Sequence, residues 1–156
     1  MIKNYTSKAK DTFDRITKCL INHNVSGISW EYSKDRSGRI FALIFLLEVN
    51  ENPVNFRMPA RYENVEQIFI KEKKQMRKYR WRDVELTKDE KEQAYRTAWA
   101  NIRDWIEAQM ALIDIDLIRM EEIFLPYAVL PNGKTVYETI VHNGQFLLPA
   151  PKENNA

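Results

Sequence analysis

Residues 71–82 read Lys-Glu-Lys-Lys-Gln-Met-Arg-Lys-Tyr-Arg-Trp-Arg. Seven of the twelve are basic and one is acidic, so the segment carries +6 in a chain whose net charge is +2. Charge at this density neutralises phosphates, and binding through it weakens steeply as salt rises. Lys71, Lys73, Lys74, Arg77, Lys78, Arg80 and Arg82 are the candidate phosphate contacts. Trp81 is the candidate to stack on an unpaired base, an interaction worth about 1–3 kcal/mol. Tyr79 falls by spacing on the apolar side. The same residues also describe a solvated helix face, or a surface for an acidic protein. No signature for reading a particular base sequence is present, so the expected contact is with DNA or RNA without sequence preference.

The remaining reactive residues form no catalytic pattern. Asp104, Glu107, Asp114 and Glu121 recur at helical spacing and line one side of a long helix. Such a row can hold a divalent metal through oxygen ligands or imitate the charges of DNA. A solvated face of an amphipathic helix is the ordinary outcome. His23 and His142 are far apart in sequence and have no second ligand at metal spacing, which reads as two surface residues. Cys19 lies beside the apolar stripe of the first helix with no base in reach, so packing is expected of it rather than nucleophilic attack. Glu48 closes the most apolar strand. Asn50, Glu51 and Asn52 follow at once and place it at a wet end. With no Gly-rich phosphate loop and no paired nucleophile and base, neither catalysis nor a cofactor or metal is expected.

At 156 residues the chain is one domain by length and can bury a core without staples. A single cysteine excludes an internal disulfide and fits a reducing, cytoplasmic setting. The longest apolar run, Ile40 to Leu47, is strand length, so no membrane contact is expected. The charge is polarised. Residues 1–103 hold 21 basic and 14 acidic groups, or +7, against 3 and 8, or −5, in residues 104–156. That asymmetry can steer a partner or a second copy of the chain.

Hydrophobic periodicity supplies the elements that position these residues. Phe13, Ile16 and Leu20 predict a helix over 7–23. Ile28, Trp30 and Tyr32 alternate with polar neighbours and predict a strand with one dry face. Residues 39–49 are apolar on both alternations, which predicts a central strand covered on both sides. A shorter third strand over Val54–Met58 ends at Pro59. Asn64 and Gln67 resemble a capping box for a basic amphipathic helix that would run to Arg82, with Val65, Ile68, Phe69, Met76 and Tyr79 on its apolar face. Thr87 and Glu90 form a clearer box. The helix it starts keeps an apolar face from Tyr95 to Phe124, and Pro126 stops it. Residues 88–124 would span roughly 55 Å as one helix, more than the roughly 40 Å diameter of a compact domain this size. Either the helix breaks near Asp114-Ile115-Asp116, or it projects and packs on another chain; the Ile113-Asp-Ile115-Asp-Leu117 alternation also fits a strand, but the 3–4 spacing that runs through it favours helix. Tyr127–Leu130 and Thr135–Ile140 flank an Asn132-Gly133 turn and predict a C-terminal β-hairpin.

The stretch Trp105-Ile106-Glu107-Ala108-Gln109, followed by Ile123-Phe124-Leu125-Pro126-Tyr127 and Leu130-Pro131-Asn132-Gly133-Lys134-Thr135-Val136-Tyr137-Glu138, resembles small uncharacterised proteins encoded by phages and prophages. Ile28-Ser29-Trp30-Glu31-Tyr32 and Arg57-Met58-Pro59-Ala60 fit the same pattern. The resemblance implies a mobile element inside a bacterial host cell, and it brings no activity or site residues with it.

The expected architecture is therefore an α+β domain over 1–148 with a frayed tail over 149–156. It comprises an N-terminal helix, a three-stranded antiparallel sheet, a basic helix, a long helix and a C-terminal hairpin. The expected function is non-enzymatic: a phage or prophage accessory protein that binds nucleic acid in DNA replication, recombination or packaging, and that self-associates along the long helix. The alternative is a protein-interaction factor that inhibits or redirects host machinery, using the long helix and its acidic row. Small-molecule sequestration and an unrecognised enzyme follow behind.

Overall fold

A computed structural model describes residues 9–76, 78 and 83–144. Among them the fold is α+β. Its order is α1 (Ala9–Ile21), β1 (Gly27–Tyr32), β2 (Ile40–Val49), β3 (Asn52–Pro59), α2 (Tyr62–Gln75), α3 (Lys88–Asp114), α4 (Met120–Phe124), a 3₁₀ turn (Leu125–Tyr127) and α5 (Val136–Asn143). Among the described residues no helix is long and apolar enough to cross a membrane.

The three strands form one antiparallel sheet in sequence order, with β2 in the middle. Asn50 and Glu51 take positive φ values of 50° and 65° and join β2 to β3. That is the two-residue hairpin geometry whose twist matches the strands, here with glutamate at a position that usually takes glycine. β3 is longer than the expected Val54–Met58 and includes Pro59 as its last residue.

One face of the sheet is dry. Cross-strand rows Ile28–Phe45–Phe56 and Trp30–Leu43–Met58 point at the helices. Phe13 of α1 meets Trp30 and Trp99 edge-on at centroid distances of 5.1 and 5.2 Å, and Trp30 meets Trp99 at 5.7 Å. A second cluster stacks Phe45 on Phe56 at 5.2 Å and turns Phe124 of α4 edge-on to Phe45 at 5.1 Å. Edge-to-face pairs of this kind add about 0.5–1.5 kcal/mol each beyond the area they bury. Trp105 closes this second cluster against Phe124 and Tyr127.

Tyr32 departs from the expected dry face: it is 61% exposed. The register explains it. Glu31 pairs with Ala42 but Tyr32 pairs with Ile40, so Phe41 is an extra residue that breaks the alternation. β3 begins to pair only at Ala42, so Ile40 has no partner on that side. Side chains of α3 take its place: the Ile40 amide donates to the Tyr95 hydroxyl at 3.0 Å, and the Trp99 indole donates to the Ile40 carbonyl at 3.2 Å. The other face of β2 is not covered as expected. Ile44 and Leu46 are only half-buried there.

Three helical expectations change. α3 starts at the Thr87–Glu90 capping box but ends at Asp114, with Asp116 at φ 54°, and α4 starts afresh at Met120. The break falls at the Asp-Ile-Asp segment, so of the two alternatives for 88–124 the structure takes the broken form, and its length no longer calls for a second chain. α2 starts two residues before Asn64. Arg61, in the left-handed region, stands at its N-cap without a side-chain bond, so the expected Asn64–Gln67 box is absent. Its buried side is set by Tyr62, Val65 and Phe69; Ile68 and Met76, placed on that side by spacing, are exposed. The C-terminal hairpin is not formed. Only a single bridge, Val129 to Thr135, joins its two halves, and Val136–Asn143 is helical. Thr135 and Glu138 make a reciprocal capping box and Gly144 closes the helix in the left-handed conformation, so cap chemistry outweighs the Asn-Gly turn. The Phe146–Leu148 segment and the 149–156 tail lie outside the described residues.

Candidate nucleic-acid interface

The basic segment begins on the last turns of α2. Lys71 and Lys74 are exposed on that helix, and Lys78 is exposed beyond it. Arg77, Tyr79, Arg80, Trp81 and Arg82 lie outside the described residues. α2 ends at Gln75, with Met76 extended, so of the described cations Lys71, Lys73 and Lys74 lie on α2 and Lys78 lies beyond it, rather than on one helix as expected. Continuing the helix would stack Lys74 on Lys78 and Lys73 on Arg77 at i,i+4, and like charges at that spacing oppose helix formation.

Lys73 differs from its neighbours. Its side chain is 14% exposed and its ammonium donates to both Glu90 oxygens at 2.9 and 3.0 Å, and to the Glu85 carbonyl at 3.3 Å. Glu90 is the residue that also caps α3, accepting from the Thr87 amide at 2.7 Å. The Lys73 hydrogen bond, with the Thr87 amide second, holds the Glu90 carboxyl below the usual carboxylate range. Lys73 thus ties α2 to the start of α3, while Lys71 and Lys74 keep their ammonium groups in water.

The acidic row is partly solvated, with Asp114 exposed, but its members on α3 are paired. Glu107 receives a bidentate pair from Arg15 of α1 at 2.7 and 3.0 Å. Asp114 accepts from His23 Nε2 at 3.0 Å, and the other ring nitrogen lies 2.6 Å from the Cys19 carbonyl. Asp104 pairs with Arg103 at 2.7 Å. Glu121 falls on α4 beyond the break and so leaves the row. Carboxylates spaced along α3 therefore lie along the seam with α1, and His23, expected at the surface, is part of that seam. Among the described residues no group of three or more His, Cys, Asp or Glu side chains converges as a metal site. Cys19 is half-buried, and burial, followed by Glu107 and Asp114, pushes its thiol up and keeps it protonated. Glu48 is exposed at its strand end, as the polar residues after it implied.

Sequence reasoning missed one polar arrangement. On the outer sheet face Arg57 of β3 reaches over β2 to Glu31 of β1, with Nε and Nη2 donating at 2.8 and 3.0 Å. The Arg57 hydrogen bond holds the Glu31 carboxyl low, and Glu31 in turn raises the guanidinium. The Arg57 guanidinium also lies 5.7 Å from the Phe41 ring centroid. The alternation of β1 places Glu31 on the polar side and residues 39–49 are expected as the central strand, but the register that sets Glu31 and Arg57 on either side of β2 is not legible in the sequence. No family model, curated protein or solved structure matches the chain.

Proposed function

We propose that this protein is a non-enzymatic nucleic-acid-binding protein that contacts the phosphate backbone through residues 71–82. One observation carries the reading: Lys71 and Lys74 stand exposed at the end of α2, where a segment of net +6 begins. Lys73, by turning inward onto Glu90, leaves the outward charge to its neighbours. Binding of this kind is made by charge density rather than by base edges, so it favours DNA or RNA of any sequence. A mobile-element role in replication, recombination or packaging rests on the sequence pattern alone. The alternative, a factor that docks on host proteins through the acidic row, has less support, because Glu107 is engaged by Arg15 of α1 and Asp114 by His23 in the turn after it.

The test is fluorescence anisotropy with short single-stranded and duplex oligonucleotides across a salt series. Replacing Lys71, Lys74, Arg77 and Arg82 with alanine should weaken binding at low salt. It should also reduce the log–log salt slope by about 0.9 for each duplex phosphate that is no longer neutralised. Lys73→Ala should leave that slope unchanged and lower the unfolding free energy instead. Equal affinity in wild type and the fourfold variant would remove the segment as a binding surface.

A further inference from the structure

The β1–β2 end of the outer sheet face holds a cavity of about 330 Å³ lined by Glu31, Tyr32, Lys34, Asp35, Phe41 and Arg57, with Ser33 beside them. The bulge lies beside it. The extra residue Phe41 lines the cavity, and Tyr32 is left 61% exposed at its wall. Two aromatic rings thus bound a space at the lower end of the range for small-ligand sites.

The charges around the cavity balance. Glu31 is committed to Arg57 through both carboxylate oxygens, and Asp35 accepts from the Ser37 amide at 2.9 Å. Arg57 and Lys34 match these two anions in number. Such a site exerts little net pull on a charged ligand. What it offers is aromatic surface and the Arg57 Nη1 donors, which make no hydrogen bond among the described residues. A flat, neutral heterocycle with acceptors on its edge uses both. The face beyond it continues as Ser29, Ile44 and Leu46, exposed or half-buried, so a chain attached to that heterocycle has an open path.

We infer that this cavity receives a single unpaired base of a nucleic-acid strand, stacked against Tyr32 and Phe41, with its edge toward Arg57 and its phosphate toward Lys34 on the rim. This rests on the nucleic-acid reading above and makes the form held in the cavity single-stranded, while the basic segment still accepts a duplex. Duplex bases are already stacked and cannot enter.

The experiment compares wild type, Tyr32→Ala and Tyr32→Phe by anisotropy on a single-stranded oligonucleotide and on its duplex. Tyr32 is mostly exposed, so both variants should melt as wild type does. Tyr32→Ala should bind the single strand about 5-fold or more weakly, bind the duplex unchanged, and be rescued by Tyr32→Phe, which keeps the ring. Wild-type affinity of Tyr32→Ala for the single strand, or equal loss on strand and duplex, overturns the pocket and leaves the basic segment standing. No binding of either probe by the wild-type protein overturns both.

Discussion

The two faces of the sheet are built from the same central strand and behave differently. β2 presents Leu43, Phe45 and Leu47 on one side and Ala42, Ile44 and Leu46 on the other, and its own composition does not choose between them. The flanking strands choose. β1 and β3 add Ile28, Trp30, Phe56 and Met58 to the first face, and α1, α3 and α4 pack there. To the second they add Ser29, Glu31, Asn55 and Arg57, and that face stays half-open. A strand that is apolar throughout marks a central position, and its neighbours decide which side becomes interior.

That contrast predicts that substitutions on or against the two faces differ in cost. Trp99→Ala should cost most, about 3–5 kcal/mol, because the ring is fully buried and its loss also strands the Ile40 carbonyl. Chemical denaturation measures this, and a loss under about 1 kcal/mol would show that the inner face is not the interior described.

On the outer face Glu31→Gln should cost about 1 kcal/mol or less, since both partners are partly exposed and water screens them. The sign with pH follows from the lowered Glu31 carboxyl. Its stabilising contribution is present above the unfolded-state value and is lost as pH falls through the lower folded-state value. Thermal melts from neutral to strongly acidic pH should show the wild-type advantage over Glu31→Gln shrinking on acidification. An advantage that grew in acid would contradict the pair. The smallest effect belongs to Ile44→Thr, within about 1 kcal/mol by the same denaturation, because Ile44 is already half in water.

How much can be read from the chain depends on how local the signal is. The Thr87–Glu90 box and the three strands are legible because each rests on residues within a few positions of one another. The break at Asp114-Ile115-Asp116 is visible as a candidate, but the 3–4 spacing carries through it and conceals it. At residues 127–143 two local signals compete. The Asn132-Gly133 turn points to a hairpin and masks the Thr135–Glu138 box, which prevails. The Arg15–Glu107, His23–Asp114 and Arg57–Glu31 pairs are illegible, because they join residues 26 to 92 positions apart and only the packed fold brings them together. For the basic segment, charge is legible and partition is not: spacing does not tell that Lys73 turns inward while Lys71 and Lys74 face out.

The satisfaction of Ile40 by Tyr95 and Trp99 carries a consequence for how the chain assembles. The first two strands are close in sequence and form a local ladder early at little entropic cost. Their bulged end, however, keeps an amide and a carbonyl whose partners lie 55 and 59 residues downstream. The hairpin is therefore complete only after the long helix has docked. That places the last hydrogen bonds of the sheet among the most non-local in the molecule, and makes sheet and helix one cooperative unit rather than two that form in turn.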